Sequence, residues 1–229
     1  MKAFVIFRDR VSYAKLCTTA LTEAGLDVVV ADHGSTWPAA LNWLKEAEDD
    51  GVTVVRRGGG HPRGLWSWPV FQGLCGTSER YIVTDPDVVP SDCCPRDWPA
   101  RLGALLDAYP EVTKAGLGLR TDNIPAYYQR RDQVIAWESQ FLIGPVQPEE
   151  GVYRAGIDTT LALYRPRGER ADFSLDTAVN LRTGYPYLAD HLAWHEDLDD
   201  PAEEIRWYYE HAEPGIAHWT TRGRSNFGD

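Results

Sequence analysis

Residues 81–90 read YIVTDPDVVP, an apolar run that ends in two aspartates on either side of a proline. Alternate residues of a strand point the same way, so Asp85 and Asp87 project from one side while Pro86 stiffens the bend between them. Two carboxylates placed like this repel each other unless a cation lies between or beside them. Carboxylate oxygens suit hard divalent ions, and Mg2+ or Mn2+ is commonly held by one or two carboxylates together with substrate phosphates. The pair is therefore a candidate half-site for a metal diphosphate. The competing reading is an Asp-Pro-Asp turn that binds nothing. Asp197 and Asp199 of HEDLDD form a similar triplet in what reads as a solvated helix start. Position separates the two, because Asp85 and Asp87 close a buried strand.

A second stretch, VVVADHGSTWPAALNWL, ends a strand in Asp32 and enters a helix through a Gly-Ser-Thr turn. Asp32 could accept hydrogen bonds from a nucleobase or ribose, and Ser35 or Thr36 is expected to cap the helix. RRGGGHPRGLW follows a third strand; no Gly-Lys-Ser/Thr comes after its glycines, so it is not a Walker phosphate loop.

These residues need a scaffold that brings strand ends together. The first half alternates AFVIF, a helix near Ser12 to Ala24, DVVVAD, a helix near Pro38 to Ala47, VTVVRR, a helix near Trp66 to Cys75, and YIVTD. Strands separated by helices of this length predict βαβ units and a parallel, helix-covered sheet, whose ligand lies beyond the carboxyl ends of the strands. That singles out Arg8 to Arg10, Asp32 to Thr36, Arg57 to Gly64, and Asp85 to Asp87. After a helix near Trp98 to Ala108, KAGLGLR reads as a strand and VYRAGIDTTLALYRP as a long strand or hairpin.

A first strand with a polar end, a second ending in D-x-G-S-T, a third ending near R-G-G and a fourth running into D-x-D resemble the nucleotide-sugar-binding half of GT-A fold glycosyltransferases, particularly the family 2-like ones. The resemblance covers about the first 95 residues. It implies a three-layer α/β/α sandwich with a mostly parallel, Rossmann-like sheet, organised as one unit over 1–229. Residues 1–95 would bind the donor and 96–229 would carry acceptor binding and catalysis.

By this resemblance Asp32 contacts the base, Asp85 the ribose, and Asp85 with Asp87 the Mn2+ or Mg2+ that holds the diphosphate. Arg63 falls in a donor-facing loop, as a phosphate or base contact or as a surface arginine. Arg8 and Asp9 border the nucleotide or form a surface ion pair. Asp158 of RAGIDTTLALYRP lies near the reaction centre, or is a hydrogen-bonded turn aspartate. GYPYLADHLAWHED brings His191, His195 and Glu196 together; on a helix 191 and 195 share a face, and His191 is the candidate third metal ligand. The family's Glu-Asp pair has no clear counterpart after GIDTT, so Asp158 leads the candidate bases, ahead of Glu196 and Asp190. The implied reaction moves a sugar from a UDP- or GDP-sugar to an acceptor saccharide or other hydroxyl compound, with inversion.

Bulk properties agree. A formal charge of −11 disfavours a nucleic-acid acceptor, while local basic clusters at Arg56 and Arg57, Arg165 to Arg170, and Arg222 to Arg224 suit a small anion. MKAFVIFRDR reads as a first strand rather than a signal peptide, and no run reaches the roughly 18 apolar residues of a spanning helix. A cytoplasmic protein with no transmembrane segment is expected. Cys17, Cys75, Cys93 and Cys94 read as reduced thiols. Two rival functions stand beside the main one. Nucleotidyl transfer to a sugar phosphate lacks its glycine-rich first loop in FRDRVSY. A non-enzymatic carbohydrate-binding module would use aromatics such as Tyr127, Tyr128, Trp137, Trp194 and Trp207 as stacking platforms.

Overall fold

The computed structural model describes residues 1–147, 151–166 and 176–211. Four parallel strands form its first half: β1 (Lys2–Phe7), β2 (Asp27–Asp32), β3 (Thr53–Arg56) and β4 (Tyr81–Thr84), in the order β3-β2-β1-β4. Helices α1 (Val11–Glu23), α2 (Pro38–Asp49) and α3 (Pro69–Cys75) are the crossovers. The alternation of side chains along β1 explains the layering. Ala3, Val5 and Phe7 pack with residues of α1, α2 and α4 (Trp98–Ala108), whereas Phe4 and Ile6 pack with Leu65, Phe71 and Cys75 around α3. Both faces are covered, which gives the expected three layers.

The expected helix near Trp66 to Cys75 is two pieces, a 3-10 turn over Pro62–Ser67 and then α3. Pro69 disfavours a helical conformation at the preceding residue, and Trp68 is extended (φ −81°, ψ 120°).

Beyond β4 the sheet is mixed. Among the described residues its order continues through β10 (Ala162–Tyr164), β6 (Lys114–Gly116), β11 (Asn180–Thr183), β9 (Val152–Arg154) and β8 (Pro145–Gln147). β10 runs antiparallel to both β4 and β6. VYRAGIDTTLALYRP is thus neither one strand nor a hairpin: β9 and β10 are separated in the sheet by β6 and β11. The turn-forming Gly156-Ile157-Asp158-Thr159-Thr160 segment carries the chain between them. KAGLGLR is likewise two strands, β6 and β7 (Gly118–Leu119), in different sheets. Gly118 permits the change, since a Cβ there would lie 2.1 Å from the Thr183 carbonyl oxygen.

A second, three-stranded sheet has the order β5 (Val88–Pro90), β12 (Leu188–His191) and β7. α5 (Arg131–Ser139) and α6 (Glu203–His211) complete the helices used below. No described helix is long and apolar enough to cross a membrane. All four cysteines are free, as expected.

Candidate active site

The C-terminal ends of β1 and β4 open on a cavity of about 470 Å3. Arg8, Arg10, His33, Arg63, Asp85 and Asp87 line it, as do Trp137, Glu138, Phe141 and Arg182. Asp158, Thr159 and His191 also line it.

Asp85-Pro86-Asp87 lies between β4 and β5, and two strand pairings bring its partners to it. β10 pairs with β4 through Ala162 and Val83, so the residues before β10 overhang the end of β4, and Thr159 Oγ1 donates to Asp85 Oδ2 at 2.6 Å. β12 pairs with β5 through His191 and Val88, which sets His191 Nδ1 3.7 Å from Asp87 Oδ2. The His191 ring stacks on buried Trp194, with centroids 4.5 Å apart.

From the start of α1, Arg10 Nη1 donates to Asp87 Oδ2 at 2.7 Å, with Tyr208 of α6 stacked 4.6 Å from the guanidinium. Burial and then the charge of Asp87 push the Asp85 carboxyl up to about 7, against the Thr159 hydrogen bond. Burial also penalises the Asp87 charge, but Arg10 and His191 outweigh it and hold that carboxyl below its ordinary value. Burial lowers His191, against the pull of Asp87, which favours the neutral imidazole a metal requires.

Among the described residues no three His, Cys, Asp or Glu side chains form a preassembled metal site. The donors nevertheless fit a divalent ion that takes its remaining ligands from phosphate. His191 Nδ1 is buried without a hydrogen-bond partner and faces a carboxylate oxygen.

The other expected residues are distributed unevenly. Arg63 lines the cavity and forks onto Asp158, Nη2 to Oδ2 at 2.9 Å and Nε to Oδ1 at 3.3 Å. Asp32 is buried and turned into its own loop, where Oδ1 accepts from the Ser35 amide (3.0 Å) and hydroxyl (2.6 Å); it does not line the cavity. Ser35 and Thr36 do not cap α2. The turn leading into α2 is held instead by Asp9, whose Oδ1 accepts from the Thr36 and Trp37 amides at 2.7 and 2.8 Å. Asp9 is fully buried at φ 58°, and Arg8 Nε lies 3.9 Å from its Oδ2, so the two form an ion pair that is buried rather than at the surface.

Glu196 and Asp190 lie outside the cavity lining. Tyr13 and Tyr209 donate to Glu196, and Asn123 donates to Asp190 at 2.9 Å; burial raises both carboxyls against these bonds. His191 and His195 share no helix face, since one ends β12 and the other ends a 3-10 turn. Asp197 and Asp199 are exposed in a bend four residues and more before α6. Arg56 is engaged by Glu48, and Arg165 by the carbonyls of Val112 and Tyr109. Arg167, Arg170, Arg222 and Arg224 lie outside the described residues. Of the five aromatics considered, Trp137 and Trp194 line the cavity.

Several cavity residues carried no expectation: Thr159, Tyr208, and the buried pair of Arg182 Nη1 and Glu138 Oε2 at 2.7 Å. Burial raises Glu138, against Arg182. Thr159 had a signal in its position two residues before an apolar run; the others had none, because their partners are remote in sequence.

No protein-family model matches the chain, and no curated protein sequence matches it. Solved structures do. GalNAc-T7 with UDP, GalNAc and Mn2+ has a TM-score of 0.51 at 11% identity, over 83% of this chain and 43% of that one. TarS 1-349 of S. aureus has 0.48 at 10%, over 84% and 60%. The mannosyltransferase PcManGT from Pyrobaculum calidifontis, in complex with GDP-Man and Mn2+, has 0.41 at 17%, over 81% and 56%. The chain thus spans 60% or less of these structures' lengths. Its fold is that of the GT-A glycosyltransferases.

Proposed function

We propose that this chain of GT-A fold is a glycosyltransferase that moves a sugar from a UDP- or GDP-sugar to an acceptor hydroxyl. The observation that carries the reading is the gathering of Asp85, Asp87 and His191 with Arg8, Arg10 and Arg63 in one cavity, at the strand ends of a parallel block. The likeness to GalNAc-T7, which was solved with UDP, GalNAc and Mn2+, supports it.

Asp87 and His191, with Asp85 beside them, would hold Mn2+ or Mg2+; when bound, the ion acts as a Lewis acid on the diphosphate as negative charge builds there. Arg10 keeps Asp87 ionised and oriented. Thr159 fixes one oxygen of Asp85. The Arg63 guanidinium matches a phosphate as well as it matches Asp158. Once Arg63 turns to the diphosphate, Asp158 is free to take the acceptor proton from the face opposite the leaving group, which gives inversion at the anomeric carbon. Such general-base help is worth about 10² to 10⁴ in rate.

A thermal-shift screen of nucleoside diphosphates and nucleotide sugars, with and without Mn2+, tests this. Ligand at 100 times its Kd stabilises by about 2.7 kcal/mol. A rise with UDP or GDP that is larger with Mn2+ is expected, and no response to any nucleotide would overturn the proposal.

A further inference from the structure

We infer that Lys114 is a positioning residue for the proposed transfer: its buried side-chain nitrogen holds the Ile157-Asp158 backbone and keeps the Asp158 carboxylate at the cavity when Arg63 leaves it for the diphosphate. This rests on the glycosyl-transfer reading, in which Asp158 is the base.

Lys114 opens β6 within the large sheet, paired with Tyr164 of β10 on one side and Asn180 of β11 on the other, and it is fully buried. Its Nζ donates to the Ile157 carbonyl oxygen at 2.5 Å, and lies 3.5 Å from the Asp158 carbonyl oxygen and 3.4 Å from Tyr164 Oη. The Tyr164 ring, 5.2 Å from Nζ, belongs to an apolar cluster with Trp66, Tyr81 and Ile157. A lysine among such neighbours is costly, because burial penalises its charge; a methionine would fill similar space without that cost. The carbonyls account for it. A carbonyl turned into an apolar cluster needs a donor, and residues 155–158 form neither strand nor helix, so no ladder of amides supplies one. Gly116 lets the same segment lie against β6, since a Cβ there would lie 2.9 Å from the Leu161 carbonyl oxygen and 3.0 Å from Ile157 Cδ1.

The side chains of this segment carry the chemistry: Asp158 meets Arg63, and Thr159 meets Asp85. A phosphate competes for Arg63 but not for Lys114, whose grip is on the backbone. Charge couples lysine and base as well. Burial pulls Lys114 down to about 7, Asp158 raises it, and Arg63 and Arg182 lower it. The ammonium is therefore sustained by Asp158, and departure of Arg63 strengthens it.

The test is a double-mutant cycle of Lys114→Met and Asp158→Asn, followed as release of UDP or GDP from UDP-GlcNAc, UDP-GalNAc and GDP-Man with Mn2+ and water as acceptor. Lys114→Met is expected to lower kcat by about 10- to 100-fold, the effect of a misplaced reacting group, with the donor KM unchanged. Asp158→Asn should lose about 10²- to 10⁴-fold, and the double variant no more than Asp158→Asn alone. Losses that multiply in the double variant, a raised KM in place of a lowered kcat, or a Lys114→Met enzyme as fast as the wild type would each overturn the role and leave the transfer standing. A wild type indifferent to UDP and GDP would remove the transfer and the role with it. Where Lys114→Met does not fold, or release is too slow to follow, a 13C-lysine NMR titration decides. The chain has four lysines, Lys2, Lys15, Lys45 and Lys114, of which Lys114 is expected to titrate far below the others. Asp158 is 40% exposed at its side chain, so Asp158→Asn should fold. Its Lys114 midpoint is expected at lower pH than in the wild type, and an unmoved midpoint would overturn the coupling on which the role depends.

Discussion

Asp87 is the residue on which most of the site converges, because Arg10, His191 and the neighbouring Asp85 all interact with its carboxylate. Removing it strands the Arg10 charge in a buried position. Asp87→Ala is therefore expected to lose Mn2+-dependent nucleotide binding and about 3–5 kcal/mol of stability. Urea unfolding measures the second effect; a loss of binding with full stability would mean that Arg10 finds another anion. His33 gives a pH dependence of its own. It is 2% exposed, and burial, then the charge of Arg57, lower it to about 4 against a hydrogen bond with the Gly60 backbone. Between pH 6.5 and 4 the unfolded chain binds a proton there that the native chain refuses, so stability falls as pH falls through that window. The loss is on the order of 3 kcal/mol. His33→Phe should remove that part of the slope in unfolding midpoints measured at pH 7 and pH 4.5, and an unchanged slope would assign it to other groups.

At the level of elements, the loops after β2 and β3 touch so closely that only glycine fits. Gly34 has φ +84°, and a Cβ on it would lie 2.9 Å from the Gly59 amide nitrogen. Gly34→Ala is expected to cost about 1–3 kcal/mol and to push the Arg57–Arg63 loop from the cavity, read as a lower Tm and weaker nucleotide binding. The first four strands were legible because each is an apolar run ending in polar residues, with a helix-length pattern between. The later strands were legible only as the stretches KAGLGLR and VYRAGIDTTLALYRP and not in their division, since β6, β7, β9 and β10 have two or three residues each, too few for any periodicity. The same limit decides which site residues could be read. Asp85, Asp87 and Arg63 sit at strand ends or in loops of the readable half. His191 was reached through a family resemblance, and its true support is a strand pairing rather than the helix face it was expected to occupy. Glu138 and Arg182 meet across 44 residues, on elements whose adjacency no local pattern announces.

Over the whole molecule, a chain of formal charge −11 gathers Arg8, Arg10 and Arg63 in one cavity and pairs Arg182 of the same cavity with Glu138. The two halves of the chain share the large sheet along the antiparallel ladder of β4 and β10, where Val83, Ile82 and Tyr81 face Ala162, Leu163 and Tyr164. That seam is three residue pairs long. A chimera that grafts a foreign acceptor half onto residues 1–95 would have to reproduce this short ladder and keep a hydroxyl where Thr159 now meets Asp85, so exchange of acceptor preference between such proteins is constrained at a joint rather than at the sugar itself.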